Sequence, residues 1–223
     1  MITSYKELPI GAYEKILAIA DRKLPEEEQN VLILAILTGR PEDELLALPV
    51  TEFRDLMDGA EFLLRPAEPE TLKRSYKLGE FTLVPCRDFR KMTAGQFIAF
   101  RQFHRAGDAF TAERLSTLLV PKGKDYGEGY DSDAVVEAIR TELPYADALA
   151  LSAFFLDRWM NSLDAILAYS RIEAKRMKRR GIPTPHLDLL IEAAAASRNS
   201  SRDSLLLTES ARLCVALGRN VRS

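Results

Sequence analysis

The sequence predicts a mainly α fold: a multi-helix array with one long central helix and a small β-hairpin. Three observations predict it. Apolar residues recur at helical spacing along most of the chain. One stretch, Tyr145 to Arg179, keeps that period far longer than the rest. A single segment, Arg74 to Val84, has two short β-prone runs around Gly79.

The elements follow in order. Pro9 to Lys23 reads as a first helix, with Ile10, Tyr13, Ile16, Leu17 and Ala20 on its apolar side. Pro25 takes a first-turn position, and Glu26, Glu27 and Glu28 suit a helix N-terminus. The helix through "NVLILAILTG" is apolar enough to be buried on most sides. A short helix starts at Pro41, and another runs through "TEFRDLMDGAEFLL" with Thr51 as its N-cap. The hairpin comes next, Arg74–Leu78 against Glu80–Val84. Thr93 caps "AGQFIAFRQFH", and a further helix is expected from Asp108 to Leu119.

Between apolar segments lies "LLVPKGKDYGEGYD", Leu118 to Asp131, with one proline, three glycines, two lysines, two tyrosines and three acids. A phosphate loop needs GxxxxGK[ST] between a strand and a helix, and Lys122-Gly123-Lys124 is not followed by Ser or Thr. A dinucleotide fingerprint fails on the spacing of Gly123, Gly127 and Gly129. Asp125, Glu128 and Asp131 miss the alternate-position register of a calcium loop. The expected role is a structural joint. Pro121 stops a helix, the three glycines permit positive φ, Tyr126 and Tyr130 pack the loop down, and Asp131 starts a helix. Lys122 and Lys124 are expected to be exposed.

Asp131 or Ser132 caps a helix through Arg140, and the long helix follows. Tyr145, Leu149, Leu156, Met160, Leu163 and Leu167 share one face, widened by Phe155, Trp159 and Ile166. Leu151 and Phe154 point elsewhere, so its first half is expected to be buried on two sides. Three regions result: a helical region over 1–70, hairpin plus helical core over 71–180, and a C-terminal helical, mobile tail over 181–223, all within one compact unit.

No catalytic, cofactor or metal site is nominated. Cys86 and Cys214 form no CxxC pair, and His104 and His186 lie on different segments. There is no GxSxG elbow and no HExxH helix. The chain has no signal-like start and no apolar run long enough to span a bilayer, so a reducing cytoplasm is expected.

Charge is uneven. The net charge is -2, yet residues 1–70 carry 7 Lys/Arg against 15 Asp/Glu, and residues 170–223 carry 11 against 5. Such a gradient can favour self-association or a charged partner. The cations Arg171, Lys175, Arg176, Lys178, Arg179 and Arg180 are the candidate nucleic-acid or partner contacts. On a wheel they spread around the circumference, and their place before Gly181 suits a helix C-terminus.

In this order, "ILAILTGRPEDELLALPVTEFRDLMDGAEFL", "YKLGEFTLV", "MTAGQFIAFRQF", "LSTLLVPKGKDYGEGYD" and "ADALALSAFFLDRW" resemble small helical proteins encoded with the structural genes of tailed bacteriophages, including crAss-like phages and Bacteroidetes prophages. They are similar to the tail assembly chaperone group over roughly Leu32 to Trp159. The resemblance implies a non-enzymatic assembly factor that keeps a tape-measure protein soluble in the bacterial host cytoplasm. The alternatives are a structural virion component, such as a connector or internal protein, and a nucleic-acid-binding regulator using the basic helix end.

Overall fold

A computed structural model describes residues 1–22, 24–88, 91–105, 111–179 and 191–192. They are mainly helical, with a small antiparallel sheet. The chain divides into two units, one containing Met1–Ser152 and the other beginning at Ala153.

In the first unit, α1 (Ile10–Ala20) buries Ile10, Tyr13 and Ile16 as expected, and Ile19 in place of Leu17 and Ala20, which are half-buried. Next comes α2 (Glu26–Thr38), in which no residue from Gln29 onward is exposed. Gly39 ends it in the left-handed region at φ 71°, and its N–H donates to the Ala35 carbonyl. Pro25 stands at the cap, one place earlier than the first-turn position expected from the sequence. The short α3 (Glu42–Leu46) follows Pro41. Helix α4 (Val50–Ala60) begins after Pro49, whose extended backbone takes the cap and leaves Thr51 inside the helix. A 3-10 turn, Glu61–Leu64, extends it.

The expected hairpin is two strands of a three-stranded sheet. Strand β1 (Tyr76–Leu78) pairs with β2 (Phe81–Pro85), and β2 pairs with β3 (Leu119–Pro121), both antiparallel. Leu119 to Pro121 is therefore strand, and Pro121 closes it opposite Leu83 instead of stopping a helix. Pairing with β2 overrides the local helical pattern, and a strand-end proline loses no ladder donor there. The expected 108–119 helix shrinks to α6 (Ala112–Ser116), capped by Thr111. Before it, α5 (Ala94–Arg105) starts at Thr93, whose hydroxyl accepts the Gln96 N–H.

Helix α7 (Ser132–Glu142) ends at Leu143, and α8 (Tyr145–Arg179) follows directly, with the bounds expected from its periodicity. The first turn of α8 is anchored by the N-terminal segment. Tyr145 and Ala146 donate their backbone N–H groups to the carbonyls of Leu8 and Tyr5, and Ile10 donates to Leu143. Donors that a helix start leaves orphaned are thus satisfied by remote backbone. Every residue from Tyr145 to Ser152 is buried, so this part of α8 is enclosed on more than the two expected sides. Tyr145 stacks on Tyr13 at 3.7 Å between centroids and tilts against Tyr5 at 5.5 Å.

Close approach of α1 to α7 depends on Gly11. A Cβ there would lie 2.8 Å from the Arg140 carbonyl oxygen and would also overlap the Arg140 side chain. On the other side of α7, Glu142 accepts the Gly79 N–H at 2.7 Å and fixes the β1–β2 turn.

In the second unit, Phe155 is buried and Phe154 meets it edge-on, with centroids 5.3 Å apart. The Arg158 guanidinium lies 5.4 Å from the centre of the Phe154 ring. The side chains of Leu156, Trp159, Met160, Leu163, Ile166 and Leu167 lie outside those described, as do nearly all residues of the tail expected over 181–223.

Candidate functional site

Where α2 packs on α4 and the 3-10 turn, a cleft of about 220 Å³ opens. Ile33, Ala60 and Leu63 form a buried apolar floor, with half-buried Met57 beside them. Three exposed acids, Glu26, Asp58 and Glu61, mark the rim, together with exposed Leu64. Glu26 belongs to the first turn of α2, where a negative charge complements the helix dipole. Asp58 belongs to the last turn of α4, just before the 3-10 turn that extends it. Glu61 pairs with Arg65 at 2.9 Å on the open surface.

The buried polar group at this cleft is already used. Gln29 donates its side-chain amide to the Arg22 carbonyl at 3.0 Å and to Ile19 at 3.4 Å, tying α2 to the end of α1. What remains is an apolar slot with a negative rim. Its chemistry complements apolar side chains flanked by cations. Sequence reading missed this cleft, although Met57, Ala60 and Leu64 recur at spacings of three and four beside Asp58 and Glu61. Leu46 and Val50, at the joint between α3 and α4, are also strongly exposed, at 68% and 76%.

The loop singled out in the sequence behaves as a joint. Gly123, Gly127 and Gly129 all adopt positive φ, at 78°, 77° and 71°. The Lys122 N–H donates to Thr82, and Lys124 N–H to Pro121. Tyr130 accepts the Gly127 N–H through its hydroxyl oxygen at 3.1 Å. Asp131 accepts the N–H groups of Asp133 and Ala134 at 3.0 and 3.2 Å, the expected cap of α7. Lys122 and Lys124 are exposed as expected, whereas Tyr126 and Tyr130 are half-buried.

An open hollow of about 410 Å³ lies beside this loop, with Cys86, Gln96, Lys122, Lys124 and Tyr126 in its walls. Gln96 is committed to the Thr117 carbonyl at 2.7 Å. Burial pushes the Cys86 thiol up, away from the thiolate that nucleophilic chemistry needs. Among the described residues no three His, Cys, Asp or Glu side chains are grouped to hold a metal ion. Cys214 and His186 lie outside the described residues, as does the side chain of His104.

Two charged clusters hold the first unit together. Asp147 is almost fully buried on α8 and accepts from the Lys73 ammonium at 2.6 Å. Burial, with the Asp147 charge nearby, pushes the Tyr76 hydroxyl up to about 12. Arg140 meets Glu137 at 2.7 Å, Glu14 at 4.0 Å and Glu113. Burial raises the Glu14 carboxyl, an effect opposed by the Ala112 N–H that it accepts.

At the far end of α8, Arg171, Lys175, Arg176 and Arg179 are exposed, while the Lys178 side chain and Arg180 lie outside what is described. The four exposed cations fall within about 140° of the helix circumference, at roughly 100° per residue. Ile172, 65% exposed, sits inside that arc. Among the described residues, no helix is long and apolar enough to cross a membrane. Set against known protein families, characterised proteins and solved structures, the chain matches none of them.

Proposed function

We propose that this chain is a non-enzymatic assembly factor of a tailed bacteriophage or prophage, acting by protein–protein contact as a tail assembly chaperone for a tape-measure protein. The observation that carries the contact role is the α2–α4 cleft, apolar on its floor and acidic on its rim. Amphipathic helices are received by grooves of this kind, with apolar anchors going down and charges meeting at the edge. Its volume lies below the roughly 300–1,000 Å³ of small-molecule pockets, which favours protruding side chains over a free cofactor. Exposed Leu46 and Val50 supply further apolar surface for a client. Many copies along one long client gain by avidity. The same reading takes α8 as the long central helix of the chain and the bacterial host cytoplasm as its place.

The basic arc on α8 favours a second reading, a nucleic-acid-binding regulator that contacts phosphates. One experiment separates these from a structural virion role. The chain is co-expressed with the tape-measure protein of its own gene neighbourhood, and finished particles are analysed by mass spectrometry. The chaperone reading expects a soluble complex before assembly and none of this chain in the particle. A stoichiometric band in mature particles overturns it in favour of a connector or internal protein. Salt-sensitive retention on DNA with no client binding overturns it in favour of the regulator.

A further inference from the structure

We infer that the α2–α4 cleft of one copy takes the basic end of α8 from a second copy, so that copies join head to tail. This names the partner of the cleft and rests on reading it as a helix-binding surface. The two surfaces complement each other in chemistry. The cleft offers the carboxylates of Glu26, Asp58 and Glu61 around an apolar floor. The end of α8 offers exposed Arg171, Lys175 and Arg179 beside exposed Ile172. Ile172 is the apolar anchor for the slot, and the cations meet the rim.

Charge distribution points to a second copy as the occupant. Residues 1–70 carry a balance of -8 and residues 170–223 one of +6, while the whole chain is nearly neutral at -2. Each copy therefore brings both halves of a charge-matched pair, and copies that meet gain attraction without net repulsion. The two surfaces differ, so the contact is heterologous, and its repetition yields a ring or an open filament. All the charges involved are exposed, so added salt weakens the contact.

The test uses the full chain in sedimentation equilibrium across a wide concentration range, at low and high salt. Association that salt suppresses is expected. Two charge-reversed variants are then compared, Asp58→Lys with Glu61→Lys, and Lys175→Glu with Arg179→Glu. Each set alone is expected to weaken association about tenfold or more. Mixing the two sets should restore it, because opposite charges again face each other, and misfolded variants would give no such rescue. A wild-type chain that stays monomeric throughout, or reversed variants that associate like wild type, overturns the inference. A third arm titrates a synthetic Leu/Lys amphipathic peptide and follows the methyl NMR signals of Met57 and Leu64. If the peptide shifts those signals while the chain stays monomeric, self-association falls and the helix-binding reading stands. If neither occurs, both fall.

Discussion

The ammonium group of Lys73 stands 2.6 Å from the carboxylate of Asp147, whose side chain is almost fully buried on α8. The second carboxylate oxygen of Asp147 is buried and accepts no hydrogen bond from the protein. Lys73 is thus the group that makes this charge tolerable inside the unit. It also bridges the segment before β1 to the start of α8.

Lys73→Met should therefore destabilise the fold. Removing one partner strands a buried charge, which is far costlier than the net worth of the pair. Lys73 is itself half exposed, so solvent tempers the loss to about 1–3 kcal/mol. Urea unfolding measures this, and pairing the change with Asp147→Asn should recover part of the loss. Equal midpoints for Lys73→Met and wild type would show that the pair holds nothing.

Gly11→Ala sets two effects against each other. Alanine favours a helix interior over glycine by about 1 kcal/mol, and Gly11, in the first turn of α1, would gain less than that. The added methyl would meet the Arg140 carbonyl oxygen at 2.8 Å, and backbone yields little. Overpacking of this kind costs about 1–3 kcal/mol, so the net change should be destabilising. Thermal unfolding of the variant decides the sign.

Tyr76 should ionise late. Its hydroxyl is pushed up to about 12 by burial and by the nearby Asp147 charge. An acid whose folded pKa is raised contributes stability that is full below its unfolded value, near 10. That contribution is lost as pH climbs through about 12. Ultraviolet titration of wild type and Tyr76→Phe should differ by one late-ionising tyrosine, and identical late phases in the two proteins would refute the shift.

Asp131→Ala removes the acceptor of two N–H groups at the start of α7. The expected loss is about 1 kcal/mol, and Asp131→Asn should retain most of the stability. Chemical denaturation of the three proteins tests the order. A variant as stable as wild type would mean that water caps the helix equally well.

Local signals carried much of the fold. The bounds of α8, the Asp131 cap and the turn at Gly79 all follow from short-range chemistry: unbroken periodicity, a carboxylate before a helix, a glycine at positive φ. Strand β3 did not, because "LLVP" reads as the end of a helix until β2 is there to pair with it. The cleft was hidden for the same reason. Met57, Asp58 and Glu61 are ordinary residues on an ordinary helix, and only the packing of α4 on α2 gathers them with Glu26 and Ile33.

The backbone bonds from Tyr145 and Ala146 to Leu8 and Tyr5 also order events during synthesis. Residues 5–10 leave the ribosome well before their partners, which arrive only after most of the stretch up to Ser152 has been made. Until then Leu8, Ile10 and Tyr13 have no Tyr145 or Leu143 to cover them, and the early helices travel with an open seam. Pairing so distant in sequence bears a large loop-closure cost and slows folding. The nascent chain thus keeps that apolar seam uncovered for as long as the start of α8 is missing.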